Sequence, residues 1–130
     1  MRYVIDSYAW LEYFMGTEAG VRAKEIIDST DDEKLTPTIC MAEVYSKVLR
    51  VEGVDKAEIR RAFIKSRSAV TPLTEEMAVE AAKIDIEMKK EIPGWGLADS
   101  IVLSTAREKK AKVLTGDEHF KSLEETIFIK

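Results

Sequence analysis

Cysteine, histidine and long apolar runs are what this chain of 130 residues has least of, and each scarcity excludes something. A single cysteine, Cys40, forbids an internal disulfide and a cysteine zinc cluster, and fits a reducing, cytoplasmic setting. A single histidine, His119, leaves no Cys/His spacing able to hold zinc. No uncharged stretch approaches the roughly 18 residues of a membrane span, so no membrane partner is expected. Glycine and proline are sparse and scattered, leaving no linker, repeat or low-complexity segment to divide the chain. The opening Met1-Arg2-Tyr3-Val4-Ile5-Asp6 carries one positive charge and an apolar run cut short by Asp6. It is expected to be a strand rather than a signal peptide.

What is present fits one domain, 1–130, with a real core, since 45% of residues are apolar and 34% charged. The net charge of −4 argues mildly against a nucleic-acid binder, which usually carries a basic footprint. The average hides local detail. If four of the 24 acids serve one metal ion, the other acids match the 20 bases. Arg60, Arg61, Lys65 and Arg67 are then a candidate basic patch, weighed evenly against a solvated helix face.

The β-favouring Tyr3-Val4-Ile5 predicts a first strand. Helices are predicted over Tyr8 to Phe14, closed by Gly16, and over Thr17 to Asp28. Lys34-Leu35-Thr36 reads as a second strand, followed by a long helix from Pro37-Thr38 to near Gly53. Asp55 is expected to cap a further helix to about Lys65. Ser68 to Leu73 reads as a third strand, ended by Pro72, and Thr74 to Lys90 as a helix. The bulky loop Pro93-Gly94-Trp95-Gly96 leads into a helix reaching Lys110. Ala111 to Thr115 and Thr126 to Ile129 are the last strands, with a helical turn near Glu118 to Lys121 between them. Strands alternating with helices imply a parallel sheet with helices on both faces. In such sheets, ligands sit at the carboxyl ends of the strands.

Most acids share a face with lysine or arginine and read as surface solvation or caps. Four differ. Asp6 follows the first strand at its carboxyl end, where it could equally be a helix cap. Asp117 follows the fourth strand after Thr115-Gly116, where it could be a turn residue. Glu43 lies a turn into the apolar run Ile39 to Tyr45, where it could pair with Lys47 four residues on. Asp99 opens a helix whose Leu97, Ala98, Ile101, Val102, Leu103 and Ala106 make it apolar on almost every side. Such a helix is normally buried, and a bare carboxylate there needs an offset. The helix N-terminus supplies part of it. All four acids emerge on one edge of the sheet, where they would repel unless a cation lies between them. Oxygen ligands suit Mg²⁺ or Mn²⁺. A phosphoacceptor receiver domain fits poorly, because no aspartate ends the third strand. A haloacid-dehalogenase-type phosphatase would need an aspartate where Tyr8 stands.

Tyr3-Val4-Ile5-Asp6-Ser7, Glu43, Leu97-Ala98-Asp99-Ser100-Ile101 and Thr115-Gly116-Asp117-Glu118-His119-Phe120, in that order, resemble the PIN-domain nucleases. They resemble in particular the VapC toxins of prokaryotic toxin–antitoxin pairs, and the likeness spans the whole chain. It implies an α/β fold of three layers, α/β/α, with a central parallel sheet in strand order 3-2-1-4-5. It places Asp6, Glu43, Asp99 and Asp117 on the family's acidic metal positions and Ser7 and Thr115 on its hydroxyl positions. Ser7 stands where the family often has Thr, and Ser100 where it often has Ala; neither change removes a ligand. The implied activity is Mg²⁺- or Mn²⁺-dependent endoribonucleolytic hydrolysis. The implied partners are RNA, a VapB-like antitoxin and a second copy of the chain in a homodimer. A PIN fold kept as an inert binding module is the alternative, and it would be expected to have lost ligands. His119, beside Phe120, reads as packing or capping rather than a general base, since metal-bound water ionises without one. Cys40 reads as a small buried apolar residue. Trp10, Tyr13 and Phe14 read as core or as a dimer surface.

Overall fold

A computed structural model describes all 130 residues. The elements run β1 (Arg2–Ile5), α1 (Ser7–Met15), α2 (Glu18–Ile27), β2 (Glu33–Pro37), α3 (Thr38–Glu52) and α4 (Val54–Arg67). They continue with β3 (Ala69–Thr71), α5 (Glu75–Glu91), α6 (Leu97–Lys109), β4 (Lys112–Thr115), a 3-10 turn at Glu118–Phe120, and β5 (Thr126–Phe128). All strand pairings are parallel, in the order β3-β2-β1-β4-β5. Val4 pairs with Leu35 on one side and with Val113 on the other. The chain winds outward from β1 through β2 to β3, then returns to β1's free edge as β4. Sheet order therefore reverses between β1 and β4, which opens a crevice at their carboxyl ends.

Strand alternation divides the core. Tyr3 and Ile5 face one side, packed with Trp10, Ala23, Ile27, Val44 and Ile64 of α1 to α4. Val4 and Val113 face the other, packed with Ile84 of α5 and Val102, Leu103 and Ala106 of α6. Trp10 is fully buried, its Nε1 donating to Thr36 Oγ1 at 3.1 Å, and Tyr13 and Phe14 pack half-buried around it. Trp10 therefore belongs to the core, while Phe14 packs against it and also lines an open groove. No helix is long and apolar enough to cross a membrane.

Three expectations change. Asp55 lies inside α4, and the helix starts at Val54 behind Gly53, whose φ of +93° breaks α3 from α4. The third strand is only Ala69–Thr71, because β2 offers partners only at Leu35, Thr36 and Pro37. α6 is not enclosed on all sides: Leu97 is 53% exposed, and burial is concentrated from Val102 to Ala106. Thr17 and Thr74 do cap α2 and α5, accepting from Gly20 N–H and Met77 N–H.

Candidate metal centre

Asp6 leaves β1 in extended conformation, and its N–H donates to Leu114 O on β4 at 3.1 Å. That pairing fixes the side chain in the crevice, 6% exposed. Thr115, the last residue of β4, donates from Oγ1 to Asp6 Oδ2 at 2.8 Å. The same oxygen accepts from Asp117 N–H at 3.0 Å. One hydroxyl thus ties the exits of both strands together. Gly116 is the residue between, and a Cβ there would lie 2.4 Å from Tyr8 Cε1. Bare backbone is what lets the Tyr8 ring lie against this turn.

Glu43 reaches the crevice from α3, where Ser7 Oγ donates to its Oε1 at 3.1 Å. No ion pair joins Glu43 to Lys47, although the spacing would allow one. Asp99 arrives from the first turn of α6. Its Oδ2 accepts from Gly96 N–H at 3.0 Å and faces His119 Nδ1 at 2.9 Å. An ionised carboxylate only accepts, so Nδ1 carries the proton in that contact. Asp99 is therefore half-buried and hydrogen-bonded, not the bare enclosed carboxylate its helix predicts. Asp117 Oδ1 accepts from His119 N–H at 2.9 Å and lies 3.6 Å from His119 Nδ1. His119 is thus neither simple packing nor a free base; it bridges two of the acids.

Asp6, Glu43, Asp99 and Asp117 line a single pocket of about 170 Å³ together with Ser7. No lysine or arginine lines it. Around it the candidate ligand atoms form two sets, each spanning no more than 4.8 Å: Asp6, Cys40 and Glu43, and Asp99, Asp117 and His119. Burial pushes the Asp6 carboxyl up to about 6; the Thr115 hydrogen bond opposes that, and the Glu43 charge adds to it. Glu43 is raised as well, chiefly by burial, with the Asp99 and Asp117 charges contributing. Both shifts reflect first the cost of burying a carboxylate, and then the neighbouring negative charges.

The donor set fits a hard divalent ion. Carboxylate oxygens converge from four elements, which suits Mg²⁺ or Mn²⁺. Cys40 does not convert the site to a soft one. Burial, with the Asp6 and Glu43 charges, pushes its thiol well above the usual range, so it stays protonated and donates to Asp6 Oδ1 at 3.5 Å. The Cys40–Asp6 and His119–Asp99 contacts were not legible in sequence, because each joins residues more than ten positions apart. The Asp117-Glu118-His119 spacing, an aspartate that accepts from the N–H two residues on, was the available signal for His119.

The loop before Asp99 is held from behind. Trp95, buried, donates from Nε1 to Ser100 Oγ at 2.7 Å, and Ser100 Oγ lies 3.2 Å from Asp85 Oδ1 on α5. Ser100 is the position read as a harmless departure; here it anchors the tryptophan. The proposed basic patch on α4 is largely committed elsewhere. Arg61 pairs with Glu58, Arg67 with Asp28, and Arg60 stacks over Phe14.

The family model described as PIN domain matches residues 3–125. No curated protein sequence matches the chain. Among solved structures, one similar to it is VapC20 of Mycobacterium tuberculosis, described as a Sarcin-Ricin loop cleaving toxin. The two share 16% identity over 94% of this chain and 95% of that one, with a TM-score of 0.77. A toxin–antitoxin complex from Klebsiella pneumoniae shows 17% identity over 98% of each chain, with a TM-score of 0.78. VapBC2 from Rickettsia felis, bound to a DNA fragment from its promoter, shows 15% identity over 98% and 97%, with a TM-score of 0.77. At these identities the likeness is one of fold.

Proposed function

This chain belongs to the PIN-domain family, and on that footing we propose that it is a divalent-metal-dependent endoribonuclease, the toxin of a VapBC-type toxin–antitoxin pair. The observation that carries the reading is the shared pocket of Asp6, Glu43, Asp99 and Asp117, lined by no basic side chain. RNA is the substrate we assign because VapC20, which shares the fold, is described as cleaving the Sarcin-Ricin loop.

Asp6, Asp99 and Asp117 would hold Mg²⁺ or Mn²⁺, with Glu43 contributing directly or through water. The bound ion supplies an acidified water and offsets charge on the phosphate undergoing displacement. The chain's own groups keep the carboxylates in place for it. Thr115 holds Asp6 Oδ2, Ser7 holds Glu43 Oε1, and Gly96 N–H with His119 holds Asp99 Oδ2. Each contact leaves the acid's other oxygen without a hydrogen-bonded side chain, apart from the weak Cys40 thiol at Asp6. Positions fixed before the ion arrives reduce what must be ordered on binding.

Partners belong to the same proposal: a VapB-like antitoxin and a second copy of the chain. A groove of about 460 Å³ between α1, α3 and α4, floored by Leu11, Phe14, Met15, Val48 and Val51, is the surface an apolar antitoxin segment would cover. That support is the toxin–antitoxin complexes among the structures sharing the fold.

Incubation with single-stranded RNA tests the reading. Cleavage is expected with Mg²⁺ or Mn²⁺, and both chelation and Asp99→Asn should abolish it while circular dichroism stays unchanged. Cleavage that survives both treatments would overturn the assignment, as would RNA binding without any metal-dependent turnover.

A further inference from the structure

We propose that Lys47 and Arg50 form a phosphate track that carries single-stranded RNA along α3 to the carboxylate pocket; this rests on the nuclease reading above. A protein of net charge −4 repels RNA on average, so substrate must be drawn in by a local exception. Most cations here are already engaged. Arg2, Lys24, Arg61, Arg67, Lys83, Lys89, Lys90, Arg107 and Lys130 pair with acids, and Arg22, Lys34 and Lys112 donate to backbone carbonyls, which engages twelve of the twenty.

Lys47 and Arg50 are exposed, form no ion pair, and lie beside the site. With Ser46 they line an open groove of about 500 Å³ whose other end is Ser7 and Glu43. Ser7 and Glu43 are also walls of the acidic pocket, so groove and pocket are continuous. Residues 43, 46, 47 and 50 fall at helical spacings of three, four and seven and share one face of α3. Seven residues of helix span about 10 Å at 1.5 Å each. The face therefore runs from a carboxylate at the site, through a hydroxyl and an ammonium, to a guanidinium. Few apolar residues line it, unlike the neighbouring apolar groove, and that suits a solvated sugar–phosphate chain rather than a protein side chain. A flexible single strand can follow this face and still bend one phosphate into the narrow pocket.

The test compares the parent chain with Lys47→Ala/Arg50→Ala. Both side chains are exposed, so the variant should fold. Binding of a fluorescent 12-nucleotide RNA is read by anisotropy in chelator across a KCl series. Two lost phosphate contacts should flatten the plot of log K against log salt by about 1.4. Mn²⁺-dependent hydrolysis of bis(p-nitrophenyl) phosphate, which has no flanking phosphates, should be unchanged. Lys83→Ala/Lys90→Ala on α5 should leave the slope alone. An unaltered slope in the α3 variant overturns the track, even where the small diester is hydrolysed. A flattened slope without diester hydrolysis by the parent keeps the track and removes the nuclease reading. A DNA strand of the same sequence tells whether the track reads phosphate alone or ribose as well.

Discussion

His119 is the residue whose geometry asks most for a measurement. It contacts Asp99 through Nδ1 and Asp117 through its backbone N–H, so it sets the spacing of two acids that arrive from different elements. A group that orients a metal-binding carboxylate typically changes metal affinity 10- to 100-fold when removed. His119→Ala should therefore weaken Mn²⁺ binding by at least about 10-fold in a titration. His119→Asn, whose amide N–H can take the place of Nδ1–H, should recover most of it. Equal affinity in all three proteins would reduce His119 to packing. The room for its ring is itself specified: Gly94 sits at φ +81°, and a Cβ there would come within 3.1 Å of His119 Nε2. Sequence position marked where the four acids would gather, because Asp6 and Asp117 stand at strand exits, Asp99 in the first turn of α6 and Glu43 one turn further into α3, and all four line one pocket. It could not mark what holds them. The thiol of Cys40 and the ring of His119 acquire partners only when α3, α6 and the β4 exit meet.

At the level of elements, the alternation of strands and helices was legible because each strand is short, β-favouring and followed by a turn or a cap. Helix ends were less so. Asp55 offered cap chemistry, but Gly53, free to adopt positive φ, decides where α3 stops and α4 starts. The start of α6 after Gly96 was legible, but the exposure of its first turn was not, because apolar residues in sequence do not say which side of a helix the sheet will cover. What secures that start is Trp95, wedged under the loop and held by Ser100. Ser100→Ala leaves the buried indole N–H without an acceptor, which costs about 1–3 kcal/mol. Urea unfolding should show that loss, and Mn²⁺ affinity should fall with it because Gly96 N–H is one of the donors to Asp99. A variant as stable as the parent would mean that the indole finds another acceptor and the loop stays in place without Ser100.

Over the whole molecule, the carboxylate pocket sets stability against function, and pH exposes the conflict. Asp6 is held up at about 6 in the folded protein against 3.8 for the ordinary group. Below the lower value, folded and unfolded chains are both protonated there, and the group contributes nothing. Between the two values the folded chain keeps a proton that the unfolded chain has released, so stability falls as pH rises. Above about 6 the full penalty stands, amounting to about 3 kcal/mol for a shift of this size. Asp28 and Glu125 act in the opposite sense. Burial alone would raise both, but bonds from Lys24, Tyr13 and Arg67 to the first, and from Arg107 to the second, outweigh it and lower them. Their contribution is present above the unfolded value and lost as pH falls. Comparing the parent with Asp6→Asn cancels these distant groups, since Asn keeps an oxygen to accept from Thr115. In chelator, the parent should lose stability relative to Asp6→Asn between pH 4 and pH 6, read by urea midpoints. Mn²⁺ at pH 7 should then restore the parent and leave the variant largely unmoved, because the ion meets the charge that burial penalises. Parallel pH curves for the two proteins, or equal stabilisation of both by Mn²⁺, would show that Asp6 does not carry the unmet charge of the pocket.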